Sequence, residues 1–405
     1  WDKNKMARKD TIIGYADKQA EKYKNIAKEI HAHPEVSNYE FFAQDILTQA
    51  LEEEGFEVKK DVAGHRTGFT GVYRSGKPGP TLAFLAEYDA LAGIGHACGH
   101  NLFGATSLLA AACAKQIVDE TGGEIRVYGT PGEEGGENGS AKANFVKEGL
   151  FDDVDAALCA HPGADKHQRT SASLACAPIE IEFFGKASHA ASAPEKGINA
   201  LDAVIQVYNS INALRQHVPS DVRIHGIITH GGDAPNTVPE YAQAKFYLRA
   251  KTLPVLMDVY AKVEKIVEGA ALATGARGTL KPYSPLVENT ILVDSFDELY
   301  ASRLTELGEV FSRDDCKSFG STDAGNVSQV IPTIQPRTRI SEVPVNGHSP
   351  EKKAACISEL GLNSVVVVAK ALALTALALL EDPELLKKIK NDHSRQLELQ
   401  EQPAG

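Results

Sequence analysis

The sequence predicts an α/β protein built on a mostly parallel, doubly wound sheet, with a smaller ferredoxin-like α+β domain inserted into it. Two observations carry that reading. Between residues 81 and 160, apolar strand runs alternate with helical spacing, which sets successive strands parallel in one sheet. Between 175 and 287 the order becomes strand, helix, strand, strand, helix, strand, the βαββαβ arrangement. The expected division is 1–174 and 288–405 for the larger domain and 175–287 for the insert. With 405 residues, 43% hydrophobic and 24% charged, the chain is long enough to bury more than one core.

The elements follow in order. Ile12, Ala16, Tyr23, Ile26 and Ile30 recur at helical spacing and stop before Pro34. A second helix begins near Glu40, with Phe41, Phe42, Ile46, Leu47 and Leu51 apolar, and ends at Gly55. FEVKKDV and FTGVYRS read as strands before a turn at SGKPG. TLAFLA (81–86), EIRVYGT (124–130) and DAALCA (155–160) are buried strands separated by helices near 101–119 and 140–148. The insert has strands at 178–184, 222–229, 241–250 and 277–283, with helices at 198–217 and 254–272. Val365–Leu380 is apolar but carries Lys370 and Thr375, and it is too short to span a bilayer, so it reads as a core helix.

Lys+Arg total 42 against 54 Asp+Glu, a net charge of −12. That balance argues against nucleic acid or an anionic membrane as a partner. Six Cys at irregular spacing do not make a disulfide framework, and Cys113, Cys159 and Cys176 lie in apolar runs as buried thiols. The opening WDKNKMARKDTIIGYADK has no apolar run of the signal-peptide kind, which favours a cytoplasmic location.

Ligands of doubly wound sheets gather beyond the carboxyl ends of the strands. Asp89 follows the first buried strand, Glu133 and Glu134 the second, His161 the third. HACGHN (96–101) places Cys98 and His100 two apart at the start of a helix, where a thiol pKa falls and a metal can be reached. A buried thiol beside a capping His would read the same way. In GTPGEEGGENG (129–139), one carboxylate can bind metal while its neighbour takes a proton from water; a solvated acidic loop has similar composition. His161 could be a core histidine or a ligand, and His348 sits in the turn VNGHSP. Taken together, Cys, His, Glu, His and His form a ligand set suited to zinc or manganese.

AEYDALAGIGHACGHN, GTPGEEGG, His161, GKASHAASAPEKGINA (185–200), NTVPEYAQAKFYLRA (236–250) and NGHSP (346–350) together resemble the M20 metallopeptidase family. The resemblance spans nearly the whole chain in order and is narrowest to the amidohydrolase branch, which includes hippurate and auxin-conjugate hydrolases, aminobenzoyl-glutamate hydrolase and β-alanyl-lysine dipeptidases. It implies that Cys98 bridges two metal ions, with His100, Glu134, His161 and His348 as the other ligands. Glu133 would be the general base and then the acid, and Asp89 would orient a ligand imidazole. His189, in the insert or lid, would reach the active site of a partner subunit and hold the scissile carbonyl oxygen. Asn236 and Arg249 match positions that bind substrate. Each lid residue also has a plain reading: a loop His, a turn Asn and a snorkelling Arg. GSTDAGNVS (320–328) resembles a loop near the substrate, or is simply a turn. Asn101 departs from the Asp that most of the branch carries, and leans toward the dipeptidase and aminobenzoyl-glutamate groups.

The resemblance thus implies a metal-dependent amidohydrolase acting on N-acyl amino acids or dipeptides, with two divalent ions (zinc or manganese), dimeric through the lid, without nucleic acid or membrane partners. The rival is a non-catalytic metal-binding or regulatory relative of the same fold. It predicts an eroded ligand set, whereas every ligand position here is filled, and a purely structural metal site has no use for Glu133.

Overall fold

The computed structural model describes residues 2–136, 138–314 and 320–402. In chain order come helices α1 (Asp2–Ala32) and α2 (Phe41–Glu53), then β1 (Glu57–Val62), β2 (His65–Arg74), β3 (Thr81–Ala86), α3 (His100–Thr121), β4 (Glu124–Gly129), α4 (Ala141–Lys147) and β5 (Ala156–Leu158). Two short strands follow, β6 (His161–Pro162) and β7 (His167–Gln168). A second unit, Ser173–Asn289, then holds β8 (Ala175–Phe184), α5 (Ala200–Leu214), β9 (Arg223–His230), β10 (Tyr241–Ala250), α6 (Leu253–Thr274) and β11 (Arg277–Pro282). From Thr290 the chain completes the first unit with α7 (Asp294–Glu306), β12 (Phe311–Ser312), α8 (Ala324–Ser328), β13 (Thr333–Ile334), β14 (Arg337–Thr338), α9 (Pro350–Ala355), α10 (Glu359–Glu381) and α11 (Pro383–Gln400).

The main sheet of the first unit has the order β1-β2-β4-β3-β5-β13. β3 runs parallel to β4 and β5, and β13 parallel to β5, while β1 and β2 form an antiparallel edge. The edge is antiparallel because only Ala63 and Gly64, both at positive φ (54° and 77°), join β1 to β2. A two-residue link of that handedness permits only a hairpin. Alternation along β3 then builds two cores. Leu82, Phe84 and Ala86 pack with Ile26 of α1, Leu108 of α3 and Leu372 of α10. Ala83 and Leu85 face the opposite side with Phe145 of α4 and Val327 of α8. Helices therefore cover both faces, as the double-wound reading requires. Helices α3 and α10 are long and apolar enough to cross a membrane, but their apolar windows are 89% and 83% buried inside the protein, so they act as core helices.

The second unit has the order β11-β8-β10-β9, antiparallel at every pair. That is the ferredoxin-like order. Val204, Val207 and Ile211 of α5, with Leu256, Val259 and Val263 of α6, cover one face by meeting Ile179, Ile181, Phe183 and Phe246. Glu180, Glu182 and Lys281 lie on the other face in ion pairs.

Candidate metal centre and active site

β3 lies between β4 and β5, so the chain departs to opposite sides of its carboxyl end. A crevice opens at such a switch point. Beyond Ala86 the chain continues as Glu87-Tyr88-Asp89, and alternation turns Glu87 and Asp89 one way and Tyr88 the other. The Tyr88 hydroxyl donates to the Thr67 carbonyl at 2.6 Å. Asp89 is fully buried and accepts from the Glu134 backbone N–H (2.9 Å) and the Ser37 hydroxyl (3.1 Å). Its Oδ1 lies 2.8 Å from His100 Nδ1, and its carbonyl oxygen lies 3.0 Å from the same atom. Both are acceptors, so Nδ1 carries a proton and Nε2 is the atom that faces the crevice.

Gly99 makes the Cys98–His100 turn possible. Its φ is +92°, and a Cβ there would stand 2.6 Å from the Cβ of Pro162. Cys98 Sγ is 3.5 Å from His161 Nε2. His161 Nδ1 donates to the Pro162 carbonyl (2.9 Å), which leaves Nε2 free to ligate. Lys352, buried in α9, donates to the same carbonyl (2.8 Å) and to that of Gly163. Glu133 and Glu134 sit on the turn after β4, where Gly132 (φ +73°) donates its N–H to Glu40 at 3.0 Å. Glu134 reaches His348 Nε2 at 3.5 Å and His100 Nε2 at 3.9 Å, and Glu133 lies 4.0 Å from the same His100 atom. His348 itself holds φ +56°, with its N–H on the Ala97 carbonyl at 3.2 Å.

The structure therefore brings Cys98, His100, Glu133, Glu134, His161, His348 and Asp89 to one place. It adds three residues that sequence reasoning missed. Glu87 lies 3.1 Å from His100 Nε2 and takes the Lys142 ammonium at 2.7 Å, and Lys142 also pairs with Asp323 at 2.7 Å. All three are at most 1% exposed. Glu87 stands inside the AEYDAL run. Lys142 looks like any helix lysine in sequence, and Asp323 belongs to the 320–328 run. That run thus reaches the centre from beneath, through Lys142. Asn101 is fully buried and donates through its amide to the carbonyls of Ala27 (3.2 Å) and Cys356 (3.1 Å). A carboxylate could donate to neither, so packing between helices accounts for Asn at this position.

The local field is uneven. Burial lowers His161 to about 3, with His100 adding to the effect, so its imidazole is neutral. Burial raises Glu133 well above the carboxylate range, reinforced by Glu87 and Glu134. Burial also raises Glu87, but Lys142 and His100 overcome it and hold the carboxylate below its usual range. Cys98 corrects an expectation: burial pushes its thiol up despite its place before a helix, and His100 only partly offsets this. The thiolate therefore depends on a cation rather than on the helix terminus.

The donors fit such cations. Ligand atoms of Cys98, His100 and His161 lie within 4.8 Å of one another, as do those of Cys98, Glu134 and His348 and those of Glu87, His100 and Glu133; Cys98 is common to the first two groups. Glu87 Oε2, His100 Nε2 and Glu134 Oε1 are buried without hydrogen-bond partners. Orphaned lone pairs that converge in this way are costly unless a cation takes them.

The second unit places the remaining predicted residues. Exposed His189 accepts the Ala191 and Ser192 backbone N–H groups at Nδ1 (3.2 Å each). Asn236 is beside it, its carbonyl accepting from the Ala190 N–H at 3.0 Å. Arg249 is elsewhere, half-buried near the far end of β10, with Nε 3.3 Å from His225 and its guanidinium over Tyr247. Tyr241 and Arg249 are eight residues apart on β10, and Asn236 lies beyond Tyr241. At the strand rise of roughly 3.3 Å per residue the separation exceeds about 25 Å.

Residues 176–274 match the model of a peptidase dimerisation domain. The chain is 34% identical to the human Xaa-Arg dipeptidase, over 95% of this chain and 91% of that one. It is 40% identical to one of the two polypeptides of the p-aminobenzoyl-glutamate hydrolase of Escherichia coli, over 64% of this chain and 56% of that one. Among solved structures, an aminobenzoyl-glutamate utilization protein from Klebsiella pneumoniae superposes with a TM-score of 0.71 at 20% identity, covering 90% of this chain and 97% of that one. A dinuclear metal binding peptidase of the M20 family from Bacillus subtilis superposes with a TM-score of 0.64 at 21% identity, covering 89% and 99%. These superpositions speak for the fold.

Proposed function

The chain belongs to the M20 metallopeptidase family and is a metal-dependent amide hydrolase, and from that premise we propose how its residues divide the work and what it cleaves. Cys98, His100, Glu134, His161 and His348 would hold two divalent cations, zinc or manganese, the Cys98 thiol belonging to both sets of donors. The observation that carries this reading is the pair of donor groups sharing Cys98, with the Glu133 carboxyl beside them, 4.0 Å from His100 Nε2. When bound, the cations supply Lewis-acid polarisation of the carbonyl and a more acidic water.

Glu133 takes the proton of the attacking water and returns it to the leaving amine nitrogen. A carboxyl crowded by burial and by two other carboxylates has a raised proton affinity, which favours taking the proton from water. Asp89 and the Pro162 carbonyl fix the two imidazoles so that each offers Nε2 to the centre. His189, accepting two N–H groups at Nδ1, carries its proton on Nε2 in the neutral ring and so can donate to an oxyanion. One small substrate cannot span the distance from His189 and Asn236 to Arg249. In a homodimer, one subunit supplies His189 and Asn236 to its partner's centre. The match to a dimerisation domain supports this, as does the edge strand β9, whose Ile227 and Ile228 are 65% and 42% exposed.

The substrate we propose is a dipeptide or N-acyl amino acid with a basic residue. A cleft of about 900 Å³ runs along residues 340–346, the segment leading to His348. Val343, Pro344 and Leu360 form its apolar wall and Glu342, Glu351 and Glu359 its acidic rim. Glu342 is paired with Arg339, and the remaining carboxylates of Glu351 and Glu359 suit an arginine or lysine side chain, in keeping with the name of the human relative.

The test is amine release from Xaa-Arg and Xaa-Lys dipeptides, N-acyl amino acids and aminobenzoyl-glutamate, with zinc or manganese and then with chelator. Chelator-sensitive cleavage that favours basic residues is expected; preference for the glutamate compound would overturn the substrate assignment. Glu133→Gln should keep its metal and lose about a hundredfold to ten-thousandfold in turnover. Undiminished turnover would remove Glu133 from the mechanism.

A further inference from the structure

We propose that Lys352 is a positioning residue that sets where His348 stands relative to His161, and so fixes the spacing of the two cation positions. The inference rests on the two-cation reading above and deepens it. His161 and His348 belong to different donor groups, joined by Cys98. His161 lies in a wall held from several sides. β6 pairs with β14, with His161 opposite Arg337 and Pro162 opposite Thr338. The His161 N–H donates to the Pro336 carbonyl at 2.9 Å and the Gly163 N–H to the Thr338 carbonyl at 2.8 Å. His348 lies outside any helix or strand, in an exposed turn at φ +56°, with its side chain 56% exposed.

Lys352 joins that turn to the wall. It stands four residues after His348, in the first turn of α9, and the Ser349 hydroxyl caps the helix by accepting the Lys352 backbone N–H at 3.1 Å. The same hydroxyl donates to the Asn346 carbonyl at 2.7 Å. Residues 346–352 are therefore one hydrogen-bonded body with His348 inside it. From that body, Lys352 Nζ donates to the Pro162 carbonyl at 2.8 Å and to the Gly163 carbonyl. The Pro162 carbonyl also takes His161 Nδ1 at 2.9 Å. One side chain thus spans from the body that carries His348 to the carbonyl that seats His161. Pro162 is a stop for the third ligand-bearing segment as well, since a Cβ on Gly99 would stand 2.6 Å from its Cβ.

A lysine is a costly way to fill this space. Lys352 is 4% exposed, and its amine meets two carbonyls and, among the described residues, no carboxylate. Such contacts recover only part of the hydration that burial removes. Packing alone would be served as well by a methionine of similar length. What the amine adds is two directed donors that hold a fixed distance between α9 and the 162–163 carbonyls. Either protonation form of the amine can donate, so the tie does not depend on its charge. Because the wall stays paired to β14 without it, the segment that Lys352 steadies is the turn of His348.

The experiment is a zinc titration of the metal-free full chain against a chromophoric competitor, repeated with cobalt and read by absorption. Far-ultraviolet circular dichroism checks that each metal-free variant is folded. The wild type should take two cations per chain in two steps, and His348→Ala marks the step that depends on His348. Lys352→Met keeps the stem without the donors, so it should weaken that same step about tenfold to a hundredfold. The other step should stay within about twofold, and the cobalt spectrum of the weakened step should shift. Ser349→Ala cuts the link between His348 and Lys352 at a half-exposed position. It should weaken the same step by a smaller factor, and by less in the Lys352→Met background than alone. Wild-type affinity in both steps with an unchanged cobalt spectrum in folded Lys352→Met would overturn the proposal. Equal weakening of both steps would also overturn it, because that is the effect of general packing. Should Lys352→Met not fold, Ser349→Ala decides, and wild-type affinity there would overturn the proposal. A wild-type chain that binds fewer than two cations would instead overturn the two-cation reading on which it rests.

Discussion

Replacing Asn101 by Asp adds no volume to speak of, yet the structure makes it one of the most damaging single changes in the chain. The Asn101 amide donates to the carbonyls of Ala27 and Cys356 at 3.2 and 3.1 Å from a fully buried position, tying α1 to the end of α9. A carboxylate there would face two acceptors with no proton to offer, so the side chain takes one up. Holding that proton at pH 7.5, against an unfolded value of about 3.9, costs about 5 kcal/mol at 1.36 kcal/mol per unit. The single O–H satisfies one carbonyl, and losing the other bond adds about 1 kcal/mol. The total is about 6 kcal/mol at pH 7.5 and about 3 kcal/mol at pH 5.5. The sign follows from linkage: an acid whose folded pKa is raised loses stability as pH climbs from its unfolded toward its folded value. Urea unfolding of metal-free protein, followed by far-ultraviolet circular dichroism at both pH values, measures this directly. Asn101→Leu is the control, because it loses both donors without proton uptake and its cost should not depend on pH. An Asn101→Asp cost below 1 kcal/mol at pH 7.5, or one equal at the two pH values, would refute the reasoning.

Three other outcomes are expected. Cys98→Ser should lower the metal bound per chain, measured by elemental analysis, because the thiol belongs to both donor groups; unchanged content would deny it the bridging place. Gly99→Ala combines a φ of +92° with a Cβ 2.6 Å from Pro162, so it should cost about 2–5 kcal/mol from strain and overpacking. A melting temperature within a degree of wild type would show that the turn can relax. His65 is fully buried between Asn38 and Asn144, and burial lowers it to about 4. A histidine held neutral in the fold contributes stability that is lost as pH falls from about 6.5 toward 4. His65→Gln should therefore flatten the acid side of the stability profile, and an identical acid slope would refute that role.

Much of the site is legible in the sequence because it is local. The strand runs ending at Ala86 and Gly129 are visible from their apolar character, and Asp89, Glu133 and Glu134 follow within a few residues. Cys98 and His100 share one turn of chain. The edge hairpin is also local, but its sign rests on the positive φ of Ala63 and Gly64, and an Ala at such a position gives no warning. Asn101 is legible at one level only. Read along the sequence, it leans toward the dipeptidase and aminobenzoyl-glutamate groups; in space its amide serves two backbone carbonyls, one of them 255 positions away.

By itself, then, the sequence determined which chemical groups lie at the strand ends, because strand alternation and the strand-to-helix order are short-range properties of the chain. Only the tertiary structure decided how those groups are charged and held. Lys142 meets Glu87 across 55 positions and Asp323 across 181. No periodicity marks a lysine destined for the interior. Removing water there raises the Cys98 thiol and the Glu133 carboxyl, while Lys142 keeps the Glu87 carboxylate ionised against the same burial. Desolvation and pairing depend on what surrounds a group in three dimensions, and no stretch of sequence contains that.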